Sequence, residues 1–355
     1  MKTLIKKIES ENFKKEDLEE AIHILRSGGL VAFPTETVYG LGANALEEEA
    51  AKKIYAAKGR PSDNPLIVHI ADMNSLEELA STIPESARLL ANKFWPGPLT
   101  MILKKSDKVP LGTTGGLTTV ALRMPENKIA FELIRQSKVY IAAPSANISG
   151  KPSPTKADHV IKDLNGKIDM ILDGGKVGIG LESTIIDLSC DIPTILRPGY
   201  ITKAMLEKVI GEVIVDPSIL NLDINSTIVP KAPGMKYKHY SPKGDVIIFE
   251  GDSELVIKEI NQRAKEKQEE NLIVGIIATD ETKDLYQYGI VKTIGSRENE
   301  EIIARGLYEI LRDFDDLDAE YIYSESFMND NLGQAIMNRL RKAAGNHIVH
   351  VGHKQ

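Results

Sequence analysis

The segment GGLVAFPTETVYGLGANALEEEAAKKIYAAKGRPSDNPLIVH, residues 28–69, contains the pattern from which the fold can be worked out. The apolar run Leu30–Phe33 predicts a buried strand that ends at Pro34, which has no amide hydrogen for a sheet ladder. Hydroxyls and a carboxylate crowd the loop that follows. Within it, Gly40 and Gly42 are expected to let the backbone turn and a ligand approach closely.

The second half of this segment predicts a helix with cations at its end. Apolar residues recur at helical spacing over 46–57, and three glutamates near the beginning suit the positive end of the helix dipole. Lys58 and Arg60 follow, before Pro61 and a second apolar run, Leu66–Ile70. Hydroxyls at a strand end and cations at a helix end predict a pocket for a small polar ligand.

The length of 355 residues favours two domains over one. Strands and helices alternate along most of the chain, which predicts α/β domains with a largely parallel sheet in the second. The boundaries are placed at 1–211 for an N-terminal α/β domain and 244–355 for a smaller, Rossmann-like one. The linker, 212–243, ends in KAPGMKYKHYSP, which alternates aromatic residues with cations and is unlike a plain tether.

Some stretches predict no regular structure. Glycine and threonine over 112–116 indicate a loop, and the density of Ser, Asn, Gly and Pro over 145–155 indicates irregular backbone. His347, His350 and His353 are expected to lie in a frayed C-terminal tail.

Net charge, apolar runs and cysteine content indicate which cellular compartment and which binding partners to expect. The net charge is −7, with 31 Lys and Arg against 29 Asp and Glu in 1–243, and 13 against 22 in 244–355. An acidic C-terminal part argues against a grip on a nucleic-acid backbone there. No apolar run approaches the roughly 20 residues of a membrane span, and the beginning of the chain does not resemble a signal peptide. A single cysteine, Cys190, is typical of a protein from a reducing cytoplasm.

Standard catalytic motifs do not match. Ser145 lacks the spacing of a hydrolase nucleophile elbow, and no Walker or dinucleotide fingerprint is found. What remains is a set of cations near hydroxyl-rich loops: Lys58, Arg60, Arg123 and Arg197. Each could be an ordinary surface charge, but as a set they favour a triphosphate or carboxylate ligand.

Five motifs in a fixed order resemble the YrdC-like family. With the linker and the C-terminal α/β domain, the chain resembles the long two-domain members of that family, the threonylcarbamoyl-AMP synthases, over nearly its whole length. The motifs are FPTETVYGL (33–41), KGRP (58–61), PSANISG (144–150), EST (182–184) and RPG (197–199).

The resemblance implies a twisted open N-terminal α/β domain and a reaction. L-threonine, bicarbonate or CO₂, and ATP with its Mg²⁺ would give L-threonylcarbamoyl-AMP and pyrophosphate. Other proteins, the tRNA threonylcarbamoyl-transfer machinery, would use this product to modify the adenosine next to the anticodon. Positioning and neutralisation of phosphate charge suffice for such chemistry, so a missing catalytic triad is expected.

The resemblance also assigns roles to residues. Lys58 and Arg60 would neutralise phosphate oxygens as the catalytic cations, and no protein ligand for a metal is expected. For His69, Thr119 and Ala143, ordinary packing remains an alternative, and the linker is expected to cover the site as a lid. Threonine would contact Thr35, His69, Arg123, Ala143 and Ser183. ATP would contact Lys58, Ser62, Thr119, Ser145, Asn147, Ser153, Arg197 and Tyr237, with Tyr240 as the alternative to Tyr237.

Two other functions are compatible with a YrdC-like module. One is binding of double-stranded RNA or tRNA without adenylate synthesis, for which the near-neutral N-terminal part gives weak support at most. The other is carbamoyl transfer in hydrogenase maturation, which requires cysteine-rich zinc fingers that a chain with one cysteine cannot form.

Overall fold

The computed structural model describes residues 2–220, 232–233, 239–327 and 330–352. They form two compact units. The first comprises the described residues of Met1–Ser149 and Ser153–Tyr237, and the second comprises Gly150–Pro152 and the described residues of Lys238–Gln355. The division therefore falls inside the predicted linker, and three residues of the loop 145–155 belong to the second unit.

The first unit contains a mixed sheet of eleven strands among its described residues, in the order β1-β8-β2-β3-β7-β4-β6-β5-β9-β10-β11. The sheet contains both parallel and antiparallel pairs; β4, for example, pairs with β6 in parallel and with β7 antiparallel. The strands are β1 (Leu4–Lys7), β2 (Val31–Phe33), β3 (Gly40–Asn44), β4 (Ile67–His69), β5 (Leu99–Lys104), β6 (Thr119–Arg123), β7 (Ile141–Ala142), β8 (Met170–Asp173), β9 (Thr184–Asp187), β10 (Thr194–Arg197) and β11 (Ile214–Val215).

Helices pack on this sheet through apolar faces. Leu25 of α1 and Leu133 of α6 share a buried cluster with Phe33 of β2, and Ile54 of α2 belongs to a larger cluster with Val68 of β4. Buried apolar surface of this kind is the main favourable term in folding. The helices are α1 (Glu19–Arg26), α2 (Glu48–Lys58), α3 (Asn74–Leu79), α4 (Glu85–Phe94), α5 (Leu111–Thr114), α6 (Lys128–Ser137), α7 (Ala157–Leu164), α8 (Lys203–Ile210) and α9 (Pro217–Leu220), with a short 3₁₀ helix at Lys15–Leu18.

The described residues of the second unit form a five-stranded sheet whose pairs are all parallel, in the order β14-β13-β15-β12-β16. This confirms the predicted fold class, a mixed α/β N-terminal domain followed by a separate C-terminal α/β domain. The elements are β12 (Asp245–Gly251), α10 (Ser253–Glu269), β13 (Val274–Ala278), a 3₁₀ helix (Lys283–Leu285), β14 (Ile290–Thr293), α11 (Glu300–Asp316), β15 (Tyr321–Glu325), α12 (Asn331–Ala343) and β16 (Ile348–Val351).

Three local predictions were wrong. Gly40 and Gly42 lie within strand β3 and not in a turn; a Cβ at Gly42 would come within 2.7 Å of the side chains of Phe33 and Ile141. The missing side chain of Gly42 therefore leaves space for Phe33 and Ile141 in the core, and not for a ligand. The loop predicted over 112–116 includes most of the short helix α5, and the predicted frayed tail contains β16, which pairs with β12. His353 lies outside the described residues.

Candidate active site

One face of the central strands carries an apolar band next to a polar band. Side chains alternate between the two faces of a strand, so residues two apart share a face. At four strands, an apolar residue of one buried cluster is followed or preceded at that distance by a polar residue, which lies within the strand in three cases and just before β9 in the fourth. We call this the site face; its pairs are Ile67 and His69, Ala121 and Arg123, Ile102 and Thr100, and Ile185 and Ser183.

Arg123 and His69 are direct neighbours on the site face, because the register of β4 and β6 places them opposite each other. Arg123 is 4% exposed, and its Nη2 lies 2.6 Å from Glu36 Oε1. Among the described residues, its buried Nε has no hydrogen-bond partner. A buried guanidinium with an unused donor can receive a further carboxylate.

His69 is uncharged at neutral pH. Burial, with a smaller contribution from the charge of Arg123, lowers the pKa of His69 to about 3. Its Nδ1 lies 3.1 Å from the carbonyl oxygen of Ile67, and its ring meets that of Phe33 edge to face. A neutral imidazole here leaves Arg123 as the cation of this neighbouring pair.

Lys58 contacts two of the three predicted ATP-binding residues of the loop 145–155, Ser145 and Asn147. It is the last residue of α2, and Gly59, with a φ of 60°, takes the left-handed conformation that ends the helix. The buried Lys58 Nζ donates to the carbonyl oxygens of Ser145, at 2.5 Å, and Asn147. Ser145 Oγ in turn lies 2.6 Å from Asn147 Oδ1. The structure therefore brings Lys58, Ser145 and Asn147 together.

Arg60 stabilises its own loop in this conformation. Its Nη2 donates to Asn64 Oδ1 at 2.6 Å and to the Pro65 carbonyl oxygen at 3.1 Å. The guanidinium is buried, whereas Ser62 on the same loop is exposed. These contacts orient the loop between α2 and β4.

Arg197 and Ser183 form a further buried group. Arg197 donates from Nε to the Ser183 carbonyl oxygen at 3.0 Å, and from Nη2 to Ser183 Oγ at 3.1 Å. Thr100 Oγ1 lies 2.7 Å from Ser183 Oγ. Ser153, from the loop 145–155, contacts the residue before Ser183, because its hydroxyl donates to Glu182 Oε1 at 2.5 Å.

Two predicted threonine-binding residues, Thr35 and Ala143, have hydrogen bonds directed into the fold. The Thr35 hydroxyl lies 2.7 Å from the Val38 carbonyl oxygen, and the Ala143 amide donates to the Ile67 carbonyl oxygen. Thr119 is half-buried at the beginning of β6. The packing alternative for Thr119 and Ala143 therefore stays open. Tyr237 lies outside the described residues.

The sequence analysis did not identify three hydrogen-bond partners of the predicted site residues: Glu36, Glu182 and Thr100. Glu36 and Glu182 lie within the motifs but were given no role, although a carboxylate next to predicted cation-site residues is a signal that could have been used. Thr100 is one hydroxyl within the apolar strand β5, and its sequence position carries no signal.

The structure also bears on metals, membranes and the linker. No group of three or more metal-ligating side chains occurs among the described residues. In the same part of the chain, no helix is both long and apolar enough to cross a membrane. Ala232, from the predicted linker, is buried in the apolar band of the site face with Ile67 and Leu196.

Comparisons with known proteins cover both units. A family model for Sua5, YciO and YrdC proteins, described as "Telomere recombination", matches residues 23–199, and a model described as "Threonylcarbamoyl-AMP synthase, C-terminal domain" matches residues 201–345. Proteins named threonylcarbamoyl-AMP synthase from Bacillus subtilis and Pyrococcus abyssi are 51% and 50% identical. These alignments cover 94% and 93% of this chain, and 94% and 95% of the relatives.

A solved structure resembles the whole chain. The crystal structure of P. abyssi Sua5 complexed with L-threonine is 49% identical and superposes with a TM-score of 0.93. The match covers 98% of this chain and 100% of that one.

Proposed function

The chain belongs to the threonylcarbamoyl-AMP synthase family, in its long two-domain form, and from this premise we propose which of its residues perform the reaction. It is a nucleotidyltransferase that joins L-threonine and ATP in an adenylate, L-threonylcarbamoyl-AMP, for tRNA modification. The finer features are proposals: bicarbonate or CO₂ supplies the carbamoyl carbon, pyrophosphate leaves, and the product passes in the cytoplasm to the tRNA threonylcarbamoyl-transfer machinery.

One observation carries the residue assignment. Four Lys and Arg side chains among the described residues of the first unit are at least nine-tenths buried: Lys58, Arg60, Arg123 and Arg197. Burying a cation is costly unless oxygen atoms surround it. In this structure carbonyl, hydroxyl and carboxylate oxygens of the protein do so, and the oxygens of phosphate and carboxylate substrates can replace some of them.

Threonine is proposed to bind at the site face. Arg123 holds the threonine carboxylate in a bidentate pair, next to the neutral His69. The face offers Ser183 and Thr100 as hydroxyl partners, while the apolar band beside them excludes water. Exclusion of water matters because N-carboxythreonine loses CO₂ readily and an acyl adenylate hydrolyses.

ATP is proposed to bind where Lys58 meets the loop 145–155. An oxygen of the carboxylated threonine amine forms a bond to the α-phosphorus, and the bond from that phosphorus to the pyrophosphate oxygen breaks. Lys58 and Arg60 stabilise the charge that develops on the phosphate oxygens. Ser145, Asn147 and Ser153 position the nucleotide, with Ser62, Thr119, Arg197 and Tyr237 as its further proposed contacts.

Mg²⁺ is proposed to enter with ATP. The described residues offer no cluster of three metal-ligating side chains, and Mg²⁺ in ATP-dependent enzymes is often held mainly by phosphate oxygens and water.

The linker is proposed to cover the site, which the burial of Ala232 on the site face supports. RNA binding without adenylate synthesis is not favoured, and any RNA binding is proposed to be weak.

The test is pyrophosphate release with ATP and Mg²⁺, omitting threonine or bicarbonate in turn, with mass spectrometry of the nucleotide product. Release should require both and yield threonylcarbamoyl-AMP. Arg123→Lys should raise the KM for threonine about 100-fold, since two charge-assisted hydrogen bonds are weakened. Arg135→Lys, at an exposed arginine paired with Glu132, is the matched control. Release indifferent to threonine, or equal KM values, would contradict the assignment.

A further inference from the structure

The loop that carries the proposed ATP ligands is held in the middle by the second unit. Gly150–Pro152 belongs to that unit, although Ser149 and Ser153 on either side belong to the first. The Ser241 amide donates to the Gly150 carbonyl oxygen at 2.9 Å. Arg312 donates to the Pro152 carbonyl oxygen twice, from Nη2 at 2.6 Å and from Nε at 3.1 Å.

These contacts form part of one buried cluster on helix α11. Arg312 follows Tyr308 by four residues, so both side chains lie on the same side of the helix. The Tyr308 ring stacks on that of Tyr240 with 5.2 Å between centroids, and the guanidinium of the fully buried Arg339 lies 6.0 Å from the Tyr240 ring. We call Arg312, Tyr308, Ser241 and the segment Gly150–Pro152 the loop anchor.

The anchor acts directly on Ser153. The Pro152 carbonyl and the Ser153 amide lie in the same rigid peptide plane. Fixing that carbonyl oxygen with two hydrogen bonds from one guanidinium therefore fixes the direction in which the chain enters Ser153. On the other side of the anchored segment, the Ser149 amide donates to the Lys58 carbonyl oxygen at 2.9 Å. The loop is thus tied at both ends of the stretch between Asn147 and Ser153.

We propose that Arg312 is a positioning residue for the ATP site and that the C-terminal unit serves the reaction by holding this loop. Arg312 touches neither substrate; it orients Ser153, and through the loop also Ser145 and Asn147, before ATP arrives. Such preorganisation lowers the entropic cost of binding the nucleotide. The inference rests on the proposed assignment of these three residues to ATP.

The experiment compares the full-length protein with Arg312→Gln and Arg312→Lys. Lysine keeps the positive charge but cannot place two nitrogens on one carbonyl oxygen, so it preserves folding if glutamine does not. The matched control is Arg305→Gln, an exposed arginine on the same helix. Amide hydrogen exchange is followed by mass spectrometry on peptides covering 144–156, and KM and kcat are measured for ATP and for threonine.

The expected result is faster exchange over 144–156 in both Arg312 variants, with exchange elsewhere in the first unit unchanged. The KM for ATP should rise about tenfold in Arg312→Gln, because ATP would then have to order the loop on binding, while the KM for threonine stays constant. Arg305→Gln should match the wild type in every measurement.

Two results would overturn the inference. Unchanged exchange over 144–156 in Arg312→Gln or in Arg312→Lys would show that Arg312 does not hold the loop. Faster exchange with an unchanged KM for ATP would show that the held loop does not position the nucleotide. Failure of the proposed function is a separate result, because it would appear as a wild-type protein that forms no threonylcarbamoyl-AMP, whatever the exchange pattern.

Discussion

Acidification from pH 7 to pH 5 should destabilise the first unit through His69. The histidine takes up a proton near pH 6.5 in the unfolded chain but only near pH 3 in the folded one. Between these values the unfolded state binds more protons, so the free energy of unfolding falls as the pH falls. The slope approaches about 1.4 kcal/mol per pH unit once the unfolded histidine is fully protonated. Over these two pH units the loss is about 2 kcal/mol, since at pH 7 protonation has only begun.

The assay is urea denaturation at pH 7, 6 and 5, followed by the fluorescence of Trp95. This is the single tryptophan of the chain and lies in the first unit, so the signal reports on the unit that contains His69. The wild type is compared with His69→Asn, whose amide nitrogen can still donate to the Ile67 carbonyl oxygen. The variant should lose about 2 kcal/mol less than the wild type between pH 7 and pH 5. The interval ends at pH 5 because carboxylates begin to titrate below it.

The control is His23→Gln, at an exposed histidine of α1. It should show the same pH dependence of stability as the wild type to within a few tenths of a kcal/mol, as expected for a surface substitution. Equal losses in the wild type and in His69→Asn would refute the reasoning, because His69 would then bind its proton in the folded state as readily as in the unfolded one.

Three further outcomes are expected. Lys58→Met should lower kcat/KM at least about 100-fold because the developing phosphate charge loses its buried cation, whereas Lys52→Gln, on the exposed side of the same helix, should leave it unchanged in the pyrophosphate assay. Glu36→Gln should lower the KM for threonine several-fold, since the substrate carboxylate no longer competes with the Glu36 carboxylate for Arg123. The same substitution should lower the free energy of unfolding in urea by about 1–3 kcal/mol. An unchanged KM would contradict the competition. Serine should be used with a kcat/KM about 10–200-fold below that of threonine, the effect of one missing methyl group, and equal use of both would argue against a pocket shaped for the methyl.

The sequence predicted those features that depend on neighbouring residues. Helix α2 was predicted from its apolar spacing, and its end from Lys58 and Arg60 before Pro61. Strand β3 was missed because two glycines in five residues indicate a turn; packing against Phe33 and Ile141 reverses that preference. Tertiary contacts of this kind override local propensity.

Site residues were predicted as a set, but their partners were not. Lys58 and the Ser145 carbonyl are 87 residues apart, and so are Arg123 and Glu36. Neither pairing follows from spacing, since each depends on the order of strands in the sheet. Ile67 and His69 share one face of β4, and Ala121 and Arg123 share one face of β6. That these faces lie side by side, with His69 opposite Arg123, follows only from the pairing of the two strands.

The loop anchor has a consequence for how the protein is made. Arg312 lies 160 residues after the carbonyl oxygen it holds. At ordinary rates of translation, a ribosome needs on the order of ten seconds to add that stretch. The loop 145–155 is therefore synthesised before Arg312, and it acquires these two hydrogen bonds only after helix α11 has folded. If the proposed ATP site is correct, a nascent chain that ends before Arg312 would bind ATP weakly, so adenylate formation would wait until helix α11 has been synthesised.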